Sequence, residues 1–123
     1  MRIQEINEGT KAGYSLTGAL LTITVGTQSL EVDLVTAQQD TEQVVDVSLD
    51  GERKIRIGVE KWYVANVIIP PQKTHLVESD EVDENENPQF MQEILPLNVD
   101  EVSLVLWALP AFTVDNDNEG GLI

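Results

Sequence analysis

Apolar and polar residues alternate from Val45 to Ser48 and again from Lys54 to Glu60, and the apolar positions then close up between Trp62 and Ile69. A period of two marks a half-buried strand, and a nearly continuous apolar run stopped by Pro70-Pro71 marks a more deeply buried one. The stretch 43–69 therefore predicts a β-hairpin feeding an inner strand. Val45 and Val47 share one face, as do Ile55, Ile57 and Val59 on the return. Residues opposite each other on a ladder share a face, so odd positions must pair with odd. A two-residue Asp50-Gly51 turn gives the wrong parity. A three-residue loop Leu49-Asp50-Gly51 predicts Val45 opposite Ile55, Gly51 in the left-handed position and Asp46 across from Lys54. On the inner strand, simple alternation puts Trp62, Val64, Asn66 and Ile68 on one face and Tyr63, Ala65, Val67 and Ile69 on the other.

A second hairpin runs from Leu20 to Val35. Leu21, Ile23, Val25, Leu30, Val32 and Leu34 face inward, with Thr22, Thr24, Glu31 and Asp33 outward. Odd must now pair with even, and a loop of 26–29 or 27–28 sets Ile23 against Val32. Residues 74–79 and 89–97 read as the arms of a third hairpin around an acidic mobile loop at 79–88. Val102 to Leu109 is the second strongly apolar strand. Residues 2–6 form a weak strand or an arm, residues 9–13 a loop, and 35–42 a polar connector. Residues 115–123 read as a disordered tail.

Seven to nine short strands and no convincing amphipathic helix predict an all-β domain: an antiparallel β-sandwich or jelly-roll-like barrel built from successive hairpins. A length of 123 residues fits a single domain, 1–123, in which folding buries roughly two-thirds of the extended-chain surface. With only six aromatic residues, its core must consist largely of Val, Ile and Leu.

Charge narrows the partners. Residues 1–70 carry 10 acidic and 6 basic side chains, net −4, and residues 71–123 carry 12 and 1, net −11. Polyanions are repelled by both halves, so neither nucleic acid nor an anionic membrane surface is an expected partner. No apolar run approaches the roughly 18 residues of a membrane span. The lack of cysteine excludes disulfides, thiolate metal sites and cysteine nucleophiles, and it fits a cytoplasmic location.

Candidate chemistry is sparse. His75 is the only histidine, and none of the serines lies in a nucleophile-elbow context. Glu60 beside Trp62 and Glu93 beside Ile94 are the carboxylates nearest in sequence to apolar surroundings. Two segments resemble calcium loops. Asp115, Asp117 and Glu119 match the opening of an EF-hand but lack the glutamate at loop position twelve, and 83–87 is followed by Pro88 in place of glycine. Both read as solvated acidic loops, and no metal or cofactor is expected. Trp62, Tyr63 and Trp107 are candidate interface or ligand-stacking aromatics, although their apolar strands favour a core role.

The expected function is a non-catalytic interaction or assembly protein, such as a subunit of a homo-oligomeric virion or secretion component, with a second copy or another protein as partner. It is not expected to be an enzyme. The alternative is a monomeric module binding a sugar or peptide, with weak calcium binding at an acidic loop.

Overall fold

A computed structural model of the protein describes residues 1–111. Over these residues the chain is all-β, with ten strands: β1 (Arg2–Glu5), β2 (Gly13–Thr17), β3 (Leu20–Val25), β4 (Gln28–Asp33), β5 (Gln43–Leu49), β6 (Ile55–Ile57), β7 (Trp62–Ile69), β8 (Thr74–Val82), β9 (Pro88–Ile94) and β10 (Ser103–Leu106). A single turn of helix, α1 (Leu34–Ala37), follows β4 and is capped by the Asp33 carboxylate, which accepts the N–H groups of Val35 and Thr36.

The strands form a five-stranded sheet in the order β1-β10-β7-β5-β6, a three-stranded sheet β2-β3-β4 and a two-stranded ribbon β8-β9. The two larger sheets share one core. Leu21, Ile23, Val32 and Leu34 from the smaller sheet and its helix join Val47, Leu49, Val67, Ile69 and Leu104 from the larger in one buried cluster. Gln28 ties the sheets together at one margin: its Nε2 donates to the Arg53 carbonyl at 2.8 Å, and its Oε1 accepts the Ile55 N–H at 3.0 Å. The two strongly apolar runs, β7 and β10, lie inside the larger sheet, with neighbours on both sides.

The hairpins keep their expected parity but differ in register. Ile23 lies opposite Leu30, not Val32, because the loop is Gly26-Thr27 and Val25 pairs with Gln28. Gly26 has φ +59°, the left-handed value that primed two-residue turns require at their first position, and Gly18 does the same between β2 and β3. Strand β2, with only Leu16 partly buried, begins at the end of the expected 9–13 loop and covers residues to which the hydrophobic pattern assigns no element.

In the β5–β6 hairpin Val47 lies opposite Ile57 and Leu49 opposite Ile55, so the expected Val45–Ile55 pair is not formed. The loop is five residues long, Asp50 to Lys54, because the Asp50 carboxylate organises it. One of its oxygens accepts the N–H groups of Glu52 and Lys54, and the other meets Arg56 at 3.2 Å. The left-handed residue is Arg53, φ +67°, and not Gly51. The expected Asp46–Lys54 pairing is replaced by this Asp50–Arg56 contact.

Simple alternation also fails on β7. Val47 pairs with Ala65 but Ser48 pairs with Tyr63, so Val64 is the extra residue of a β-bulge. The bulge reverses the facing of everything before it. Trp62 joins the core side opposite Leu49, while Tyr63 turns to the outer face with Asn66. Ser48 also lies on that face, yet it is buried, because its hydroxyl donates to the Gly58 carbonyl and accepts the Glu60 N–H.

Strand β1 runs parallel to β10, with Ile3 beside Leu104, and this pairing is no part of a hairpin series. The loop after β1 is fastened to the chain following β10. The Leu109 N–H donates to the Thr10 carbonyl at 2.7 Å, and the Ala108 N–H to Asn7 Oδ1 at 2.7 Å. Gly9 (φ +129°) permits the contact, since a Cβ there would lie 2.8 Å from that of Ala108. Among the described residues no helix is long and apolar enough to cross a membrane.

Candidate interaction surface

The third hairpin forms, and it stands apart. Strands β8 and β9 pair with each other and, among the described residues, with no other strand. Thr74 faces Ile94, Leu76 faces Gln92 and Glu78 faces Phe90, so Leu76, Phe90 and Ile94 occupy one face of the ribbon. Each is at least 60% exposed, and Met91 on the opposite face is 56% exposed. An isolated two-stranded hairpin is marginal in water because it has no core to bury. This one also carries seven carboxylates between Thr74 and Ile94, with no lysine or arginine.

Residues 79–82, expected in a mobile loop, instead extend β8. Between the pairs Glu78–Phe90 and Val82–Pro88, β8 has three residues where β9 has one. The Ser79 hydroxyl accepts the Glu81 N–H inside this bulge. Beside it lies a shallow groove of about 380 Å³ lined by Ser79, Asp80, Glu81, Gln89, Phe90 and Met91.

The tip closes on Asp83, one of whose carboxylate oxygens accepts the N–H groups of Asn85 at 2.8 Å and Asn87 at 2.9 Å. Those bonds hold the Asp83 carboxyl below its ordinary pKa, the bond from Asn87 most strongly. The segment 83–87 is thus a backbone-capped turn whose leading carboxylate is committed to the chain itself. Among the described residues no three His, Asp or Glu side chains are grouped to hold a metal ion. Asp115, Asp117 and Glu119 lie outside the described residues.

His75 sits on the ribbon with its Nε2 4.0 Å from the cross-strand Glu93, and both side chains are exposed. Glu60 is exposed as well. None of these three lies in apolar surroundings.

The three candidate aromatics separate. Trp62 packs partly buried against the core, with the Lys61 ammonium 4.8 Å from its ring centre. Tyr63 and Trp107 stack on the outer face of the larger sheet at a centroid distance of 5.3 Å. The Trp107 indole N–H donates to Asn66 Oδ1 at 2.6 Å, and the Asn66 amide donates to Asp46 Oδ1 at 2.7 Å. No local pattern signals this Asp46-Asn66-Trp107 chain, because the residues are far apart and the bulge at Val64 sets their common face.

Basic side chains are concentrated elsewhere. Arg53, Lys54, Arg56 and Lys61, four of the seven lysines and arginines, lie on or beside β6. That strand is an edge of the larger sheet and exposes Ile57 at 58%, with Val59 just beyond it at 65%. No family model, curated protein or solved structure matches the chain.

Proposed function

We propose that this chain is a non-catalytic assembly protein, a subunit that joins a larger homo-oligomer through the β8–β9 ribbon. One observation carries the reading. The ribbon holds Leu76, Phe90 and Ile94 in water on one face, and among the described residues no other strand pairs with either of its edges. Exposed apolar strand edges promote association, and folded monomers ordinarily cover, shorten or interrupt them. A neighbouring subunit would bury that face and supply the core the ribbon lacks.

The test is absolute molar mass by size-exclusion chromatography with light scattering, on the whole chain and on Phe90→Glu. Assembly through the ribbon requires the wild type to exceed 13.6 kDa and the variant to lose at least ten-fold in association. A wild type that stays monomeric at high concentration overturns the reading.

The Tyr63–Trp107 stack favours a second reading, a ligand-binding module whose outer sheet face takes a sugar or an apolar peptide side chain. Aromatic faces flanked by the polar Asp46–Asn66 pair suit such a ligand. A saturable change in tryptophan emission on titration with a glycan or peptide panel, lost in Tyr63→Ala, would support it.

A further inference from the structure

We infer that the occupant of the ribbon is strand β6 of a second copy of this chain, so that assembly is head-to-tail. This inference rests on the assembly reading above and names the surface that completes it.

Three observations converge on β6. The first is hydrogen bonding. The Asp50 N–H donates to the Lys54 carbonyl and the Gly58 N–H to the Asp46 carbonyl, so even-numbered residues of this strand turn their backbone groups toward β5. Odd-numbered ones turn theirs outward. The Ile55 N–H is taken by Gln28 of β4, whereas Ile57 faces an edge with which no described strand pairs. An incoming strand meets an edge there that is already extended and twisted for pairing.

The second is apolar surface. Ile57 and Val59 are the most exposed aliphatic residues of the larger sheet and its turns. They offer Leu76, Phe90 and Ile94 a surface to cover. The third is charge. The ribbon has seven carboxylates and no lysine or arginine, and residues 50–61 have four basic side chains against three carboxylates, with Arg56 3.2 Å from Asp50 and Lys54 3.9 Å from Glu52. In a chain of net charge −15, two copies repel unless a basic stretch meets an acidic one, and this pairing provides that complementarity.

The other edges fit less well. Strand β2 carries no charge, β4 carries Glu31 and Asp33 without a basic residue, and β1 balances Arg2 with Glu5. Because ribbon and edge are different surfaces of one chain, the contact closes into a ring or a reciprocal dimer where its rotation allows and otherwise propagates as a chain.

The experiment uses two full-length variants. One disables the ribbon (Leu76→Glu with Phe90→Glu) and the other disables the edge (Ile57→Glu with Val59→Glu). Lys54→Glu serves as a second edge variant that leaves the apolar residues in place, and circular dichroism verifies that each folds. Wild type is expected to exceed 13.6 kDa, as a closed ring or as chains, with a mass that falls as NaCl is raised. Each variant alone is expected at 13.6 kDa, and an equimolar mixture of ribbon and edge variants as a discrete dimer, since one intact ribbon meets one intact edge. An oligomeric wild type with unaffected edge variants overturns this inference and leaves the assembly reading standing. So does a mixture that remains monomeric while wild type associates. A monomeric wild type overturns both.

Discussion

Asp83 does at the ribbon tip what Asp50 does between β5 and β6. In each five-residue loop the leading carboxylate accepts N–H groups two and four residues on. The backbone N–H of each aspartate bonds the carbonyl four residues later, and its carbonyl accepts the N–H three residues later. The fourth residue is left-handed in both, Arg53 at φ +67° and Glu86 at φ +65°. The loops read DGERK and DENEN and share only the aspartate at the first position, a lysine or asparagine ending each. The side-chain cap, and not a glycine, sets the turn.

That cap makes the turns sensitive to acid. The carboxyls of Asp50 and Asp83 lie below their ordinary range because backbone N–H groups bond the charged form, and Glu101 is lowered chiefly by its hydrogen bond from Lys73. A group whose folded pKa is depressed contributes stability above its unfolded value, about 3.9 for aspartate, and loses it as pH falls through the folded value. The urea midpoint of the wild type is therefore expected to fall more steeply below about pH 4 than that of Asp50→Asn, which keeps an acceptor without the titration. Equal slopes would show that the carboxylate charge contributes nothing.

Arg53→Gly tests the strain. A left-handed residue with a Cβ costs about 1–2 kcal/mol, of which glycine's greater unfolded-state entropy takes back about 0.5–1. A net gain of about 0.5–1 kcal/mol is expected in urea unfolding. A loss would mean that the Arg53 side chain contributes more than its backbone costs.

Asn66 is a single link between two partners. In Asn66→Leu the Trp107 N–H and the Asp46 carboxylate lose their bonds while partly buried. A loss of about 1–3 kcal/mol is expected from unsatisfied polar groups, with a change in Trp107 emission. Unchanged stability would mean that water takes over both bonds.

Gly9→Ala probes the seam between the loop after β1 and the segment after β10. Its positive φ and the 2.8 Å approach to Ala108 leave no room for a methyl group, so a loss of more than about 1 kcal/mol is expected. Amide exchange should accelerate first in β1. Uniform acceleration across the sheet would show instead that β1 unfolds only with the whole domain.

Much of the fold was legible because period-two alternation is a local signal. Leu21, Ile23, Val25, Val32 and Leu34 were read as inward, and all five are buried. Registers were not legible to the residue. Gly51 suggested a three-residue loop, but the hydrogen bonds of Asp50 outweighed it. The bulge at Val64 leaves no mark in the hydrophobic pattern, because Trp62, Tyr63, Val64 and Ala65 suit a strand in either facing. For that reason the Tyr63–Trp107 stack and its link to Asn66 were invisible in the sequence. The ribbon's acidity was plain, whereas its separation from both sheets depends on which strands do not pair, and that is a global property.

The parallel pairing of β1 with β10 has a consequence for synthesis. Arg2–Glu5 are made well before their partners, Ser103–Leu106, which follow about a hundred residues later. At roughly 5–20 residues per second, β1 waits for seconds with both edges open, while the β2-β3-β4 meander can pair at once from local contacts. The larger sheet is therefore completed after the smaller one, and β1 stays unsatisfied until Leu106 has been made.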